Sequence, residues 1–219
     1  MNPMTPMTLN ASTVWSIVHA ERAQLVSDLR GLPAEAWSTP SLCAGWTVHD
    51  VLAHLLDTAK TSRLRFVRRM IAARFDFDGD NAAGVAAERR DDPPATLDAM
   101  DAATGLTLTP PAARVATRLV EAIVHGEDIR RPLGIAATYP PAAVASALAY
   151  QARTAASLQG GRERVQGLRL VATDTGVGIG DGPEARGRAI DLLLVTSGRR
   201  TPDCTLDGPG AARLLAATG

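Results

Sequence analysis

The 219-residue sequence has few of the features that mark membrane, secreted or nucleic-acid-binding proteins. It has no apolar run of about 18 residues, the length that a membrane-spanning helix needs. Its two cysteines, Cys43 and Cys204, lie far apart and outside any C-x-x-C pair, which argues against a thiolate metal site and a redox dithiol. The formal net charge is zero, so no electrostatic footprint for nucleic acid or an acidic membrane is present. We therefore expect a cytoplasmic protein without nucleic-acid or membrane partners.

Lysine is scarce as well, because Lys60 is the one lysine and the remaining basic residues are arginines. The first ten residues lack a basic region followed by an apolar run, so they predict no secretory signal. Residues 1–11 are predicted to be a flexible leader. Hydrophobic residues make up 46% of the chain, which is ordinary for a globular protein that can bury a core without disulfides.

Apolar residues recur at helical spacing in four segments of the first 160 residues. The predicted helices run over residues 12–32, 47 to about 73, about 112 to 131, and 141 to about 158. Thr47 and Asp50 form a T-x-x-D signal, which predicts a capping box at the start of the second helix. Residues 75–94 are polar and contain glycine and proline, which predicts a loop with one short helical piece. Four helices with modest connections indicate a bundle over residues 12–160.

The composition changes near Gly160 and Gly161, and a small α+β domain is predicted over residues 162–219. Residues 168–174 are strand-like, and the glycine-rich segment after them predicts a hairpin turn. Its spacing is not that of a G-x-G-x-x-G dinucleotide site. Residues 189–196 are apolar and fit either a helix or a strand. Residues 206–217 predict a short terminal helix.

The chain has four histidines, His19, His49, His54 and His125. His125 follows Glu121 by four residues, so both side chains lie on one helix face, and Asp128 continues that polar stripe. His54 lies at the border of the apolar face of the second predicted helix. A bundle can bring His54 opposite Glu121 and His125, and two imidazoles with a carboxylate suit zinc with an open fourth position. The alternatives are a surface pair on one helix and a packed histidine on the other.

Two segments resemble the signatures of the mycothiol-dependent maleylpyruvate isomerase family, within the DinB-like metal-binding superfamily. Residues 42–55, LCAGWTVHDVLAHL, resemble the first signature, and residues 121–134, EAIVHGEDIRRPLG, resemble the second. The resemblance covers about residues 12–158, and it is less specific for residues 168–174 and 191–199. It implies a mainly α fold, a DinB-like four-helix bundle followed by a small α+β C-terminal domain.

The resemblance also implies chemistry. In the family the matching residues bind a divalent metal, usually zinc, which carries over to His54, Glu121 and His125. Mycothiol, a low-molecular-weight thiol, is the implied cofactor, and by position Arg199 helps to hold it. A metal-bound thiol loses its proton near neutral pH, and the thiolate can add to an activated double bond and leave again. The implied enzyme is a cis–trans isomerase of the maleylpyruvate type or an S-transferase, acting on a small molecule as a monomer or homodimer.

Two other functions stay open. In a non-catalytic regulatory or stress protein the metal would only fix the bundle, with His49 or Asp128 as a fourth ligand. In a metal-dependent hydrolase the metal would activate water, with Asp128 or Asp50 as general base.

Several residues near the predicted site have structural interpretations. Asp128 either orients an imidazole or pairs with Arg130 or Arg131. Asp50 and Asp57 are predicted to lie on a solvated helix face. Trp46 is predicted to pack at the helix start, and Cys43 to be a buried structural cysteine.

Overall fold

The computed structural model describes residues 8–74, 76–109 and 114–218. The chain divides into two compact units. The first unit comprises residues 15–137, and the second comprises residues 138–219 together with the segment that precedes Trp15. None of the described helices is both long and apolar enough to cross a membrane.

Helices make up most of the first unit, whereas the second unit combines helices with three short strands. Up to residue 137 they are α1 (Ala11–Leu29), a 3-10 helix (Ala34–Ser38), α2 (Val48–Lys60), α3 (Arg63–Ala72), α4 (Phe77–Glu88), α5 (Pro93–Ala103) and α6 (Ala116–Arg130). Beyond it follow α7 (Pro141–Gln151), a 3-10 helix (Ala156–Leu158), α8 (Arg162–Val165), strands β1 (Arg169–Ala172), β2 (Gly178–Ile179) and β3 (Glu184–Gly187), α9 (Ala189–Thr196) and α10 (Ala211–Ala216).

Helix α2 is the central element of the first unit and packs on α4, α5 and α6. It starts at the predicted capping box, in which the Thr47 hydroxyl accepts from the Asp50 amide at 3.3 Å and the Asp50 carboxylate accepts from the Thr47 amide at 2.9 Å. Its leucines and valines are almost fully buried, and so are His49, His54 and Asp57. The helix therefore places polar groups inside the bundle, where each of them needs a partner.

The prediction of one long second helix and a loop over residues 75–94 is wrong. Helix α2 ends at Lys60, and α3 starts anew after Ser62, whose hydroxyl accepts from the Arg65 amide. The predicted loop is mostly helix, α4 and the start of α5. Asp76 and the proline pair, which suggested a loop, lie at the starts of these two helices. Asp76 caps α4 by accepting from two backbone amides, and the proline pair occupies the first turn of α5, where a missing N–H costs nothing.

The C-terminal prediction is confirmed in its main elements. Strand β1 pairs antiparallel with β2 and parallel with β3, in the order β2-β1-β3, so the glycine-rich segment does form a hairpin turn. The ambiguous apolar segment is helix α9, which packs on α7 and on β1. Helix α7 ends at Gln151, with a separate 3-10 helix up to Leu158. The predicted fold class, a helical bundle followed by a small α+β part, is thus correct.

The compact units do not coincide with the predicted domains. Helix α7 packs on α9 and belongs to the second unit, which begins at Thr138. The division into residues 12–160 and 162–219 stays a prediction. Residues 1–7 of the predicted leader lie outside the described residues, and helix α1 begins at Ala11.

Candidate functional site

Two of the predicted site residues meet where helix α2 packs on helix α6. His54 from α2 and His125 from α6 have ring centroids 4.8 Å apart, with their planes nearly perpendicular at 77°. His54 is buried, and the side chain of His125 is 17% exposed. Trp46 covers the other side of His54 at a centroid distance of 5.1 Å. The structure therefore brings together two imidazoles at a partly accessible point of the first unit.

Asp128 lies one helical turn after His125 and is within hydrogen-bond distance of it. Its Oδ2 is 2.9 Å from Nδ1 of His125, and the carboxylate is fully buried. In this geometry Nδ1 donates to the carboxylate, which leaves Nε2 as the nitrogen with a free lone pair. The neighbouring arginines have other acidic partners: Arg130 contacts Glu21 and Asp28, and Arg131 contacts Glu127.

Glu121 lies on α6, one turn before His125, and its carboxylate is held by three side chains. Oε1 accepts from the Thr58 hydroxyl at 2.9 Å, and Oε2 accepts from Nη1 of Arg118 at 2.5 Å. Nη2 of Arg22, from helix α1, lies 3.9 Å from Oε1. Both arginines are almost fully buried.

The electrostatics keep Glu121 ionised. Burial alone would raise the pKa of Glu121, but the charges of Arg118 and Arg22, a charge on His54 and the Thr58 hydrogen bond outweigh it. The net result is a pKa below the ordinary value of a glutamate. A carboxylate that stays charged at neutral pH is available both to a guanidinium and to a metal ion.

The donor types of His54, Glu121 and His125 fit a zinc site with one open position. Their placement fits it only in part. The two imidazoles are in edge-to-face contact with each other, whereas the Glu121 carboxylate is bound by Arg118 and Thr58. Among the residues that the structure describes, no group of three or more histidine, cysteine, aspartate or glutamate side chains is arranged to hold a metal ion. A metal bound by all three residues therefore requires Glu121 to give up part of its contact with Arg118.

Two other predicted candidates lie in separate environments. Nε2 of His49 is 2.8 Å from the Thr96 hydroxyl, and its ring packs on Trp37, so the structure does not bring it to the histidine pair as a fourth ligand. Arg199 belongs to the second unit, where Nη1 donates to the carbonyl of Ser197 at 2.7 Å. Its contact with a thiol stays a prediction.

The solvated face predicted for Asp57 is wrong. Asp57 is buried and forms an ion pair with Arg69 of α3 at 2.7 Å, because α3 and α4 cover a face that the sequence suggested to be open. Asp50 is partly buried, in the capping box and in an ion pair with Arg89 at 2.8 Å. Trp46 does pack at the start of α2, and Cys43 is only partly buried, at the edge of the same core.

Three residues of the site escaped the sequence analysis, namely Thr58, Arg118 and Arg22. Thr58 lies four residues after His54, and Arg118 lies three residues before Glu121, so helical spacing alone would have put both beside a predicted ligand. No sequence signal indicates Arg22, since its approach to Glu121 depends on how α1 packs on α6.

Comparisons with known proteins agree with this architecture. Residues 18–113 match the family described as "Mycothiol maleylpyruvate isomerase N-terminal domain", a range that includes His54 but ends before Glu121. No curated protein matches the sequence. Two crystal structures are similar in fold, and each match covers 92% of this chain and 96% of the other.

Both structures are of the mycothiol-dependent maleylpyruvate isomerase. A histidine-to-alanine mutant aligns with a TM-score of 0.61 at 15% identity, and the other structure with a TM-score of 0.59 at 16% identity. At these identities the structural similarity shows the shared fold. Residues 18–113 are similar to the N-terminal domain of mycothiol maleylpyruvate isomerases, and most of the chain has the fold of the two solved structures.

Proposed function

We propose that the chain is a zinc-dependent enzyme that uses a low-molecular-weight thiol such as mycothiol, as a cis–trans isomerase of the maleylpyruvate type or as an S-transferase. The observation that carries the proposal is the edge-to-face contact of two imidazoles, His54 and His125, beside the ionised Glu121. The similarity of residues 18–113 to mycothiol maleylpyruvate isomerases supports the thiol. We expect the enzyme to act in the cytoplasm, as a monomer or homodimer.

In this proposal His54, Glu121 and His125 would hold a zinc ion, which when bound would lower the pKa of a coordinated thiol. Asp128 accepts a hydrogen bond from Nδ1 of His125, which would leave Nε2 of that ring as the ligand nitrogen. Thr58 fixes one oxygen of Glu121. Trp46 packs against His54 and limits access of water to that imidazole. Arg199 is proposed to contact the thiol cofactor.

The alternative functions have less support in the geometry. The regulatory interpretation needs a fourth protein ligand, but His49 is hydrogen-bonded to Thr96 and Asp128 to His125. The hydrolase needs a general base beside the metal, but Asp50 is held in the capping box and by Arg89. The thiol enzyme would need no further protein base, since a bound zinc ion would lower the pKa of the thiol enough for its proton to pass to water.

The first test measures zinc per chain by mass spectrometry and binding of mycothiol by calorimetry on the same sample. We expect about one zinc per chain and thiol binding that disappears on chelation. Zinc without any affinity for mycothiol would contradict the thiol enzyme and favour the hydrolase or the regulatory protein.

A second test separates the two thiol reactions. The zinc-loaded protein is incubated with mycothiol and either maleylpyruvate or an electrophilic thiol acceptor such as an epoxide. An isomerase converts maleylpyruvate and leaves the free thiol concentration unchanged, whereas an S-transferase consumes one thiol per product. Lack of turnover with both substrate classes, in protein that binds zinc and mycothiol, would contradict the enzymatic proposal.

A further inference from the structure

We infer that Arg118 competes with the metal ion for Glu121 and thereby sets the affinity of the site for zinc. The inference rests on the proposed function, because it concerns the same three ligands. It goes beyond that function by assigning control of the metal affinity to Arg118, which is not one of the three proposed ligands.

The contact between Arg118 and Glu121 is direct and shielded from water. Nη1 of Arg118 lies 2.5 Å from Oε2 of Glu121, and the Arg118 side chain is only 2% exposed. Solvent and salt screen a buried ion pair far less than a surface pair. The ion pair between Arg118 and Glu121 is therefore expected to persist at ordinary ionic strength.

Arg118 has no substitute for Glu121 among the described residues. Glu121 is its acidic partner, and the buried Nε of Arg118 has no hydrogen-bond partner there. If Glu121 turned fully toward a metal, a buried guanidinium would lose its counter-charge, which is unfavourable. Arg118 and a zinc ion from solution would therefore compete for the Glu121 carboxylate.

Arg22 adds a second positive charge near the Glu121 carboxylate, next to its other oxygen. Its Nη2 is 3.9 Å from Oε1 of Glu121, and its Nη1 is held at 2.9 Å by the carbonyl of Leu106. Two buried guanidiniums therefore stand beside one carboxylate, and a divalent ion at Glu121 is repelled by both. Arg118 has the larger effect because it is the one in direct contact.

The test measures zinc affinity by competition with a chromogenic chelator in wild type, Arg118→Gln and Arg118→Lys. Glutamine keeps a hydrogen-bond donor and removes the charge, so we expect zinc to bind at least about tenfold more tightly. Lysine keeps the charge, so its affinity is expected to stay within about threefold of wild type. Arg131→Gln, on the same helical segment but paired with Glu127, is the matched control and should leave the affinity unchanged.

Thermal melts of the metal-free proteins accompany the titrations. If Arg118→Gln does not fold, Arg22→Gln replaces it, with a smaller increase in affinity expected from its 3.9 Å separation. If the wild type binds zinc and the folded Arg118→Gln variant, or Arg22→Gln in its place, binds zinc equally or more weakly, the inference is overturned and the proposed function is not affected. An increase in zinc affinity in Arg118→Lys as large as that in Arg118→Gln would show that the charge of Arg118 is not the cause, and would overturn the inference. Absence of zinc from the wild type and all variants would overturn the proposed function together with the inference.

Discussion

Helix α2 contributes to two polar clusters that differ in the groups they contain, ion pairs alone in one and imidazoles beside carboxylates in the other. The ion network, on the side of α3 and α4, consists of Asp57, Lys60, Arg69, Asp80 and Glu88, and every member has an opposite charge within 2.9 Å. The histidine cluster, on the side of α6, consists of His54, Thr58, Glu121, His125 and Asp128. There the two imidazoles are in edge-to-face contact, Asp128 lies 2.9 Å from His125, and Glu121 is paired with Arg118.

This difference separates a structural cluster from a candidate site. Buried charges are tolerated when paired, and a fully paired network leaves nothing with which to bind a ligand. Arg69 donates to both Asp57 and Asp80, and these contacts raise its pKa although burial opposes this. The histidine cluster instead contains two imidazoles and a carboxylate that is shared with Arg118, which are donor types that metal binding requires.

The largest expected effect comes from breaking the ion network. Arg69→Met leaves Asp57 and Asp80 buried without their cation, which should lower the free energy of unfolding by about 3–5 kcal/mol in urea titrations. Zinc affinity of the folded fraction should not change. Arg65→Met is the control, because Arg65 is half-exposed and its acidic contacts are at 3.7 and 3.9 Å, so its loss should cost less than about 1 kcal/mol. A stable Arg69→Met protein that has lost zinc would reverse the roles of the clusters.

Removing an imidazole from the histidine cluster should weaken zinc binding and leave the stability of the metal-free protein nearly unchanged, which is the reverse of the effect of Arg69→Met. In His54→Ala or His125→Ala we expect zinc affinity to fall by at least about 100-fold, while the thermal melting of the metal-free protein changes little. His49→Ala is the matched control on the same helix, since His49 binds Thr96 and should be dispensable for zinc. A double variant of His54 and His125 that retains one zinc per chain would contradict the site.

Asp128→Asn sharpens the comparison within the histidine cluster. An amide oxygen accepts the hydrogen bond from Nδ1 of His125 less strongly than a carboxylate does. Zinc affinity should therefore fall by about 10- to 100-fold. Calorimetric titration with zinc measures the change. Asp50→Asn should affect stability through the helix cap and leave zinc binding as it is. Equal loss of zinc in both variants would assign Asp128 a structural role.

The smallest effect concerns His49, which lies in neither cluster. Burial lowers the pKa of His49 from 6.5, and the nearby Arg89 lowers it further. Because the unfolded chain binds this proton more readily, the stabilising contribution is present above pH 6.5 and decreases as the pH falls below it. Urea titrations at a series of pH values should show this decrease, and His49→Gln should reduce it. An unchanged pH profile in the variant would assign the dependence to another group.

Patterns within one helix allowed most of the fold and half of the site to be predicted. The capping box of α2, the pairing of Glu121 with His125 on one face, and the order of the C-terminal elements follow from spacings of a few residues. The missed helices α4 and α5 show where this fails. Their starts, Asp76 and the proline pair, have the same composition as a loop, and packing on α2 decides between the two.

The sequence by itself determined the start of the helix that carries His54, the donor types and the resemblance to the family, because these depend on local periodicity and on motifs written along the chain. Only the tertiary structure decided which charges are satisfied. Asp57 is buried because α3 and α4 cover it, and Glu121 is approached by Arg22 from α1, a helix about 100 residues earlier in the sequence. The physical reason is that burial and ion pairing depend on distances between segments far apart in sequence, which no spacing along one helix contains.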